Sequence, residues 1–427
     1  MGSKRKPTIL LVATLDTKAA EASFLKEAIE SQGCDVLLMN SGVLNAPPYT
    51  PDIDRDEIAR AAGEELKTLL ASKDKGRCIT AMMAGVGALA RKLYTEGRLQ
   101  GVVSIGGDQG TNIGTAAMRA LPFGVPKFMV STVATGQAQF GEYTKTKDII
   151  IMHSVADIAG LNRVTRSVMW KAAVSVAAMA LSDEEKVARR GGRIPVAMSM
   201  LGTTTPGAMR AIATLERNGF EVVAFHQNGT GGIAMEDMIR EGVFAGVLDI
   251  NTHEIGDRVA KGLHGAIADY RLESAGAMGL PQVVAPGSAY YTVQGPIAEL
   301  PPEMRGRKMI AHNVHHTLVR LSPEELEETG RITARKLNGA KGPVHLFLPL
   351  KGMAYPDREG LGHWDPEANR LFFDTIKKHL EPRIPVSELD AHINDPEFID
   401  PVVEKFLEFM SGLGQKGGTR TDEKTGR

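Results

Sequence analysis

Residues 8–39 read TILLVATLDTKAAEASFLKEAIESQGCDVLLM, and they decide the fold. Residues 8–13 are an almost wholly apolar run, the pattern of a strand buried on both faces. Helical spacing follows. Phe24, Leu25, Ala28 and Ile29 share one face, Glu21, Lys26, Glu27 and Glu30 lie off it, and Gly33 ends the repeat. Residues 35–39 supply a second strand. Strand, helix and strand within about thirty residues make a β-α-β unit, the repeating element of parallel sheets.

Working outward, residues 56–70, 113–120 and 163–181 read as helices, and residues 101–105, 126–130 and 148–152 as strands. Residues 182–193, SDEEKVARRGGR, are charged and then glycine-rich with no apolar face, which marks a domain boundary. The same architecture then restarts. Strand patterns at 195–201, 221–225, 246–250, 282–285, 308–311 and 344–348 are set among helical ones at 207–218, 234–241, 323–337, 366–379 and 396–410. The expectation is an α/β protein of two tandem Rossmann-like, doubly wound domains with mainly parallel sheets. Residues 1–185 would form a nucleotide- or phosphate-binding domain, 194–413 a second Rossmann-like domain, and 414–427 a polar, glycine-rich, disordered tail.

Composition excludes several functions. Lys and Arg total 50 against 51 Asp and Glu, without the positive excess a nucleic-acid surface needs. No stretch approaches the roughly 20 uninterrupted apolar residues of a membrane span, and the alanine-rich residues 174–181 read as a buried helix. Lys4, Arg5 and Lys6 are a short solvated run rather than a targeting signal. Two cysteines, Cys34 and Cys78, make no disulfide scaffold, so they are expected as core thiols and the protein as cytoplasmic.

In open parallel sheets, ligands bind beyond the carboxyl ends of strands, where helix N-termini offer unpaired N–H groups. Glycine clusters between a strand and a helix are therefore candidate anion sites. The strongest joins Gly106, Gly107 and Gly110 with Thr111, whose hydroxyl is placed to bond a phosphate oxygen or a metal-bound water. It matches neither GxGxxG nor GxxxxGK[ST]. Gly85 and Gly87 look like a weaker copy, and Thr135 with Gly136 follows the next strand, where it would wall the same pocket.

In the second half, His226 ends a strand, Gly229, Thr230, Gly231 and Gly232 form the turn, and Glu236 is expected in the first turn of the helix. Residues 202–207 are a similar turn. Asp249, His253 and Glu254 stand around another strand end and have the chemistry for acid/base work or for holding a metal. His312 follows a further strand; with His315 and His316 it offers three imidazoles, though such adjacent ligands are not the usual zinc arrangement. Neither a Ser/His/Asp triad spacing nor a nucleophile elbow occurs.

These motifs together resemble the tomato mosaic virus resistance protein-like ATP-binding domain family, with its uncharacterised bacterial relatives. The resemblance rests on Asp16-Thr17-Lys18 with Glu21, Gly106-Gly107 with Gly110-Thr111, and residues 122–132 and 157–162. It continues through Phe225-His226, Gly229–Gly232 with Met235-Glu236, His312-Asn313 and residues 392–395. It implies two Rossmann-like domains, ATP held by the first, and self-association. In this chain Asp108 and Gln109 stand inside the first glycine turn; a carboxylate there repels phosphate unless a metal intervenes, so Mg²⁺ is expected with ATP. Asp16 and Lys18 would position metal and phosphate. His226, Glu236, Asp249, Glu254 and His312 would face a small acidic metabolite in an interdomain cleft, with Glu236 or His226 as general base. Two alternatives stand beside this: a lyase or hydrolase of a sugar-derived or carboxylic acid without nucleotide turnover, and a non-catalytic regulatory or partner-binding module.

Overall fold

The computed structural model describes residues 6–135, 140–182 and 192–416. The chain divides into two units, Met1–Arg190 and Gly191–Arg427.

The N-terminal unit is built on five parallel strands: β1 (Thr8–Ala13), β2 (Asp35–Asn40), β3 (Gly101–Gly106), β4 (Lys127–Ser131) and β5 (Ile150–His153), in the order β2-β1-β3-β4-β5. Alternate residues of a strand point to opposite faces, and here both faces are covered. Ile9, Leu11, Val103 and Val130 pack against helices α1 (Leu15–Ser31) and α7 (Arg163–Leu181). Leu10, Val12, Val102 and Met129 pack against α4 (Lys75–Thr95) and α5 (Asp108–Arg119). Burial on both sides is why these strands read as continuous apolar runs.

Residues 56–70 are two helices, α2 (Arg55–Ala61) and α3 (Leu66–Ala71), and α6 (Phe140–Thr144) precedes β5. Gly85 and Gly87 correct the sequence expectation. They are not a strand-end turn but lie inside α4. A Cβ on Gly85 would stand 2.0 Å from the carbonyl oxygen of Ile58, so this glycine lets α2 cross α4 at close range. Helix α7 is long and apolar enough to cross a membrane by length and composition. Its buried face, with Val168, Met169, Ala172, Ala173 and Val176, packs in the core of this unit.

The C-terminal unit carries six parallel strands, β6 (Ile194–Met200), β7 (Phe220–His226), β8 (Val247–Asp249), β9 (Gln282–Val284), β13 (Val344–Pro349) and β14 (Val386–Leu389), ordered β14-β13-β9-β8-β6-β7. Read from β7, this is the N-terminal order with one strand added. Helices α8 (Thr205–Arg217) and α14 (Pro396–Lys416) cover one face. Helices α9 (Thr230–Arg240), α12 (Pro323–Asn338) and α13 (Pro366–His379) pack with the other. Short helices α10 (His253–Val259) and α11 (Ser274–Ala277) lie in the connections.

One element departs from a doubly wound copy. Residues 308–311 were expected as another strand of the sheet; instead β11 (Met309–Ala311) pairs antiparallel with β12 (Thr317–Arg320), which pairs antiparallel with β10 (Tyr291–Gln294). His312 therefore opens a tight β11–β12 loop rather than following a parallel strand.

Candidate functional site

A parallel sheet opens a crevice where its strand order reverses. In the N-terminal sheet that point lies between β1 and β3. After β1, Lys18 breaks the start of α1 with non-helical backbone, φ −130° and ψ 28°. The carboxylate of Asp16 accepts the amide of Leu44 at 2.7 Å. After β3, Gly107 is the N-cap of α5 and no side chain caps that end. The N–H groups of Asp108, Gln109 and Gly110 thus lack intrahelical partners and carry the partial positive charge of a helix start.

Gly106 is fixed by packing, because a Cβ there would lie 2.6 Å from the Cα of Gly110. Gly107 is not: its Cβ would meet Thr132 Oγ1 at an ordinary 3.5 Å. Asp16, Lys18, Lys75, Gly107, Asp108, Gln109 and Gly110 line one cavity of ≈ 370 Å³. Thr111 does not. Its hydroxyl is buried, donates to the carbonyl of Gly107 at 2.8 Å and sits 2.7 Å from Ser131 Oγ, so it stabilises the turn from behind. Thr135 is exposed and outside this lining, its amide turned onto the carbonyl of Val133 at 2.8 Å. Gly136 lies outside the described residues.

The glycine-rich turn after β7 in the C-terminal unit is already filled. Oε1 of Glu254 accepts the amides of Gly229 at 2.7 Å and Gly232 at 3.1 Å. A Cβ on Gly232 would fall 1.8 Å from Oε2 of the same carboxylate. Gly231 packs against the carbonyl of His226, and the Thr230 hydroxyl donates to Asn228 Oδ1 at 3.1 Å. The turn binds an anion, but that anion is the protein's own side chain. Glu254 also accepts from Nε of Arg271 at 2.9 Å.

Asp249 receives Arg271 at 2.6 and 3.0 Å and Ser199 Oγ at 2.6 Å. Glu236 accepts Arg271 Nη1 at 3.3 Å and the amides of Leu272 and Ser274. It is in the second turn of α9, which begins at Thr230, four residues before the expected start. Burial pushes Glu236 and Glu254 up from the usual carboxylate range, against the pull of Arg271. Glu236, Asp249 and Glu254 are 0–2% exposed, as is Arg271. They knit the strand ends together and line no part of the neighbouring cavity.

That neighbouring cavity, ≈ 600 Å³, lies beside the ends of β6 and β7 and the β11–β12 loop. His226, His264, His312 and His316 line it with Thr203, Asn228 and Tyr291. His226, His253 and His312 were legible from their places at or just past strand ends; His264, the partner of His253, was not. His253 is fully buried, with Nδ1 3.1 Å from the carbonyl oxygen of Ser288 and Nε2 3.2 Å from Nδ1 of His264. Burial pushes His253 down to about 4. It also lowers His264, further lowered by charge on His253. Asp257, raised by its own burial, accepts the amide of His264 at 2.6 Å. His315 is held with His316 by Asn313 Oδ1, which accepts both their amides at 2.8 and 2.9 Å. Among the described residues no group of three or more His, Cys, Asp or Glu is placed to hold a metal ion.

A protein of Clostridium tetani (strain Massachusetts / E88) is 38% identical to this chain over 403 residues, covering 94% of the chain and 98% of that protein. The tomato (Solanum lycopersicum) ToMV resistance protein Tm-1(GCR237) is 32% identical over 424 residues, covering 94% of the chain. The chain spans only 56% of that tomato protein's length. Among solved structures, UDP-N-acetylglucosamine 2-epimerase from Rickettsia bellii aligns over 96% of this chain and 98% of its own at 9% identity. Its TM-score of 0.24 is too low to bear on function. By its N-terminal domain over residues 7–185 and its C-terminal domain over 193–410, the chain belongs to the Uncharacterised protein family UPF0261.

Proposed function

We propose that the N-terminal domain binds ATP with Mg²⁺ in the β1/β3 crevice. One observation carries this reading: the uncapped start of α5 opens into a cavity that also holds two lysines, Lys18 and Lys75, and two carboxylates, Asp16 and Asp108. Backbone N–H groups and lysines suit phosphate oxygens. Magnesium takes one or two carboxylates and completes its shell with phosphate oxygens and water, which fits a site whose own carboxylates are few. The cavity falls in the roughly 300–1,000 Å³ range of small-molecule sites. The choice of ATP over other phosphates comes from the family resemblance of the strand-end motifs.

The protein is placed in the cytosol, consistent with two buried free thiols, Cys34 and Cys78. It is also taken to self-associate, since Trp170 and Val174, one helical turn apart on α7, are exposed apolar side chains. Calorimetric titration with ATP and Mg²⁺ tests the central reading. Lys18→Ala should weaken binding about tenfold, the loss of one charge-assisted phosphate contact, and unchanged affinity would count against it.

A further inference from the structure

The pair His253–His264 has a defined proton arrangement. The carbonyl oxygen of Ser288 can only accept, so Nδ1 of His253, 3.1 Å away, carries a proton. A fully buried imidazole with no charged partner in hydrogen-bond reach is neutral, so its Nε2 is bare. Nδ1 of His264, 3.2 Å from that nitrogen, must then donate to it. The remaining nitrogen of His264, Nε2, is a lone pair on a side chain that lines the cavity, and among the described residues nothing donates to it.

The arrangement is held firmly. Ser288 sits in the left-handed region at φ 59°, a conformation a serine keeps only when its surroundings enforce it. Its hydroxyl accepts Asn251 Nδ2 at 3.0 Å and lies 2.8 Å from Thr203 Oγ1, and its amide donates to Met353 at 2.9 Å. Behind the pair, Asp257 Oδ1 is 3.8 Å from Nε2 of His253, and its carboxylate offsets part of the burial that disfavours a positive charge on His264. The groups facing the pair are thus Asp257, His226 and His316, with no lysine or arginine in the cavity lining.

We propose that the C-terminal cavity is a proton-abstraction site for a small uncharged α-hydroxy-carbonyl compound, with Nε2 of His264 as the base and His253 as its positioning residue. The chemistry selects this class. The lining bears no Asp, Glu, Lys or Arg, and Leu201, Val293, Ile310 and Leu318 give it apolar walls. His226, His312 and His316 supply N–H donors for a carbonyl oxygen. Nε2 takes the proton from the carbon bearing the hydroxyl. The C–H pair becomes the C–C π bond of an enediolate, and the carbonyl π pair moves onto oxygen, where the imidazole N–H groups hold it. Return of the proton to the former carbonyl carbon, with a hydroxyl proton passing between the two oxygens, gives the isomer, and nothing else is consumed.

This inference uses only C-terminal residues, so it stands or falls apart from the nucleotide site. Two measurements on the full chain test it. Nitrogen-15 NMR of labelled histidines should find His264 protonated on Nδ1 and bare on Nε2 at pH 7; a proton on Nε2 overturns the assignment. In D₂O, glycolaldehyde, glyceraldehyde and dihydroxyacetone should exchange the proton on the hydroxyl-bearing carbon above the buffer rate. His264→Gln should slow the exchange about a hundredfold, the lower end of what a general base supplies. His253→Phe should give a mixture of His264 tautomers together with slower exchange. No exchange above buffer with any of the three compounds, or exchange untouched in His264→Gln, overturns the proposal.

Discussion

Glu254 shows how one side chain reassigns a motif. A glycine turn between strand and helix reads as an anion site from its residues alone, and the turn at Gly229–Gly232 is one. Its occupant comes from a carboxylate 22 residues further along the chain, and no spacing rule announces that partnership. Gly232→Ala would drive a methyl group into that carboxylate, 1.8 Å away. A loss of about 3 kcal/mol is expected, as for other clashes inside a buried network. Urea denaturation checks it, and a near-neutral alanine would show that the turn has room. The pairing of His253 with His264 was hidden for a similar reason, since a tautomer follows from acceptors such as the Ser288 carbonyl that only the fold brings near.

His253 sets a pH dependence. His253 is lowered to about 4 in the native state, whereas an unfolded histidine titrates near 6.5. The unfolded chain therefore binds more protons below about 6.5, and the stability from a neutral His253 is present above that pH and lost as pH falls towards 4. By pH 5.5 about 1.4 kcal/mol of it is lost. The urea midpoint should fall between pH 7.5 and 5.5, and His253→Phe should flatten the slope. An equal slope in that variant would assign the effect to other groups.

Among elements, the parallel strands were legible because burial on both faces demands apolar runs, as in residues 9–13 and 102–105. The long helix α4 was not. Its Gly85 and Gly87 carry turn chemistry in sequence, and only the crossing carbonyl of Ile58 explains Gly85 in a helix. Strands β10 and β12 were missed because four residues such as Tyr291–Gln294 show too little alternation to read. Residues 157–162, singled out for family resemblance, end in a helix cap. Asn162 Oδ1 accepts the amides of Val164 and Thr165 at 2.9 and 3.0 Å, and Thr165 Oγ1 accepts the Asn162 amide at 2.9 Å. Asn162→Ala should cost about 1 kcal/mol, measured by thermal unfolding; no loss would leave that motif without a structural role.

Over the whole molecule, both sheets repeat one strand order. The N-terminal turn after β3 stays open, because among the described residues no side chain caps the start of α5 as Glu254 fills the turn after β7. The sequence displayed both turns alike; which of them a carboxylate of the chain itself fills depended on side chains distant along the chain. Trp170, 46% exposed on α7, would be the anchor of the self-association proposed above. Trp170→Glu should lower the mass measured by light scattering towards that of a single chain, and an unchanged mass would exclude this face.

The proposed function requires the open turn after β3 to grip phosphate. A Cβ on Gly107 would meet Thr132 Oγ1 at an ordinary 3.5 Å, so Gly107→Val is expected to intrude on the cavity while the fold is kept. Calorimetry with ATP and Mg²⁺ should show saturable binding to the wild type and at least about tenfold weaker binding to Gly107→Val, a difference of about 1.4 kcal/mol, with the melting temperature of the free protein preserved. Equal affinity in the two proteins, or no binding to either, would contradict it.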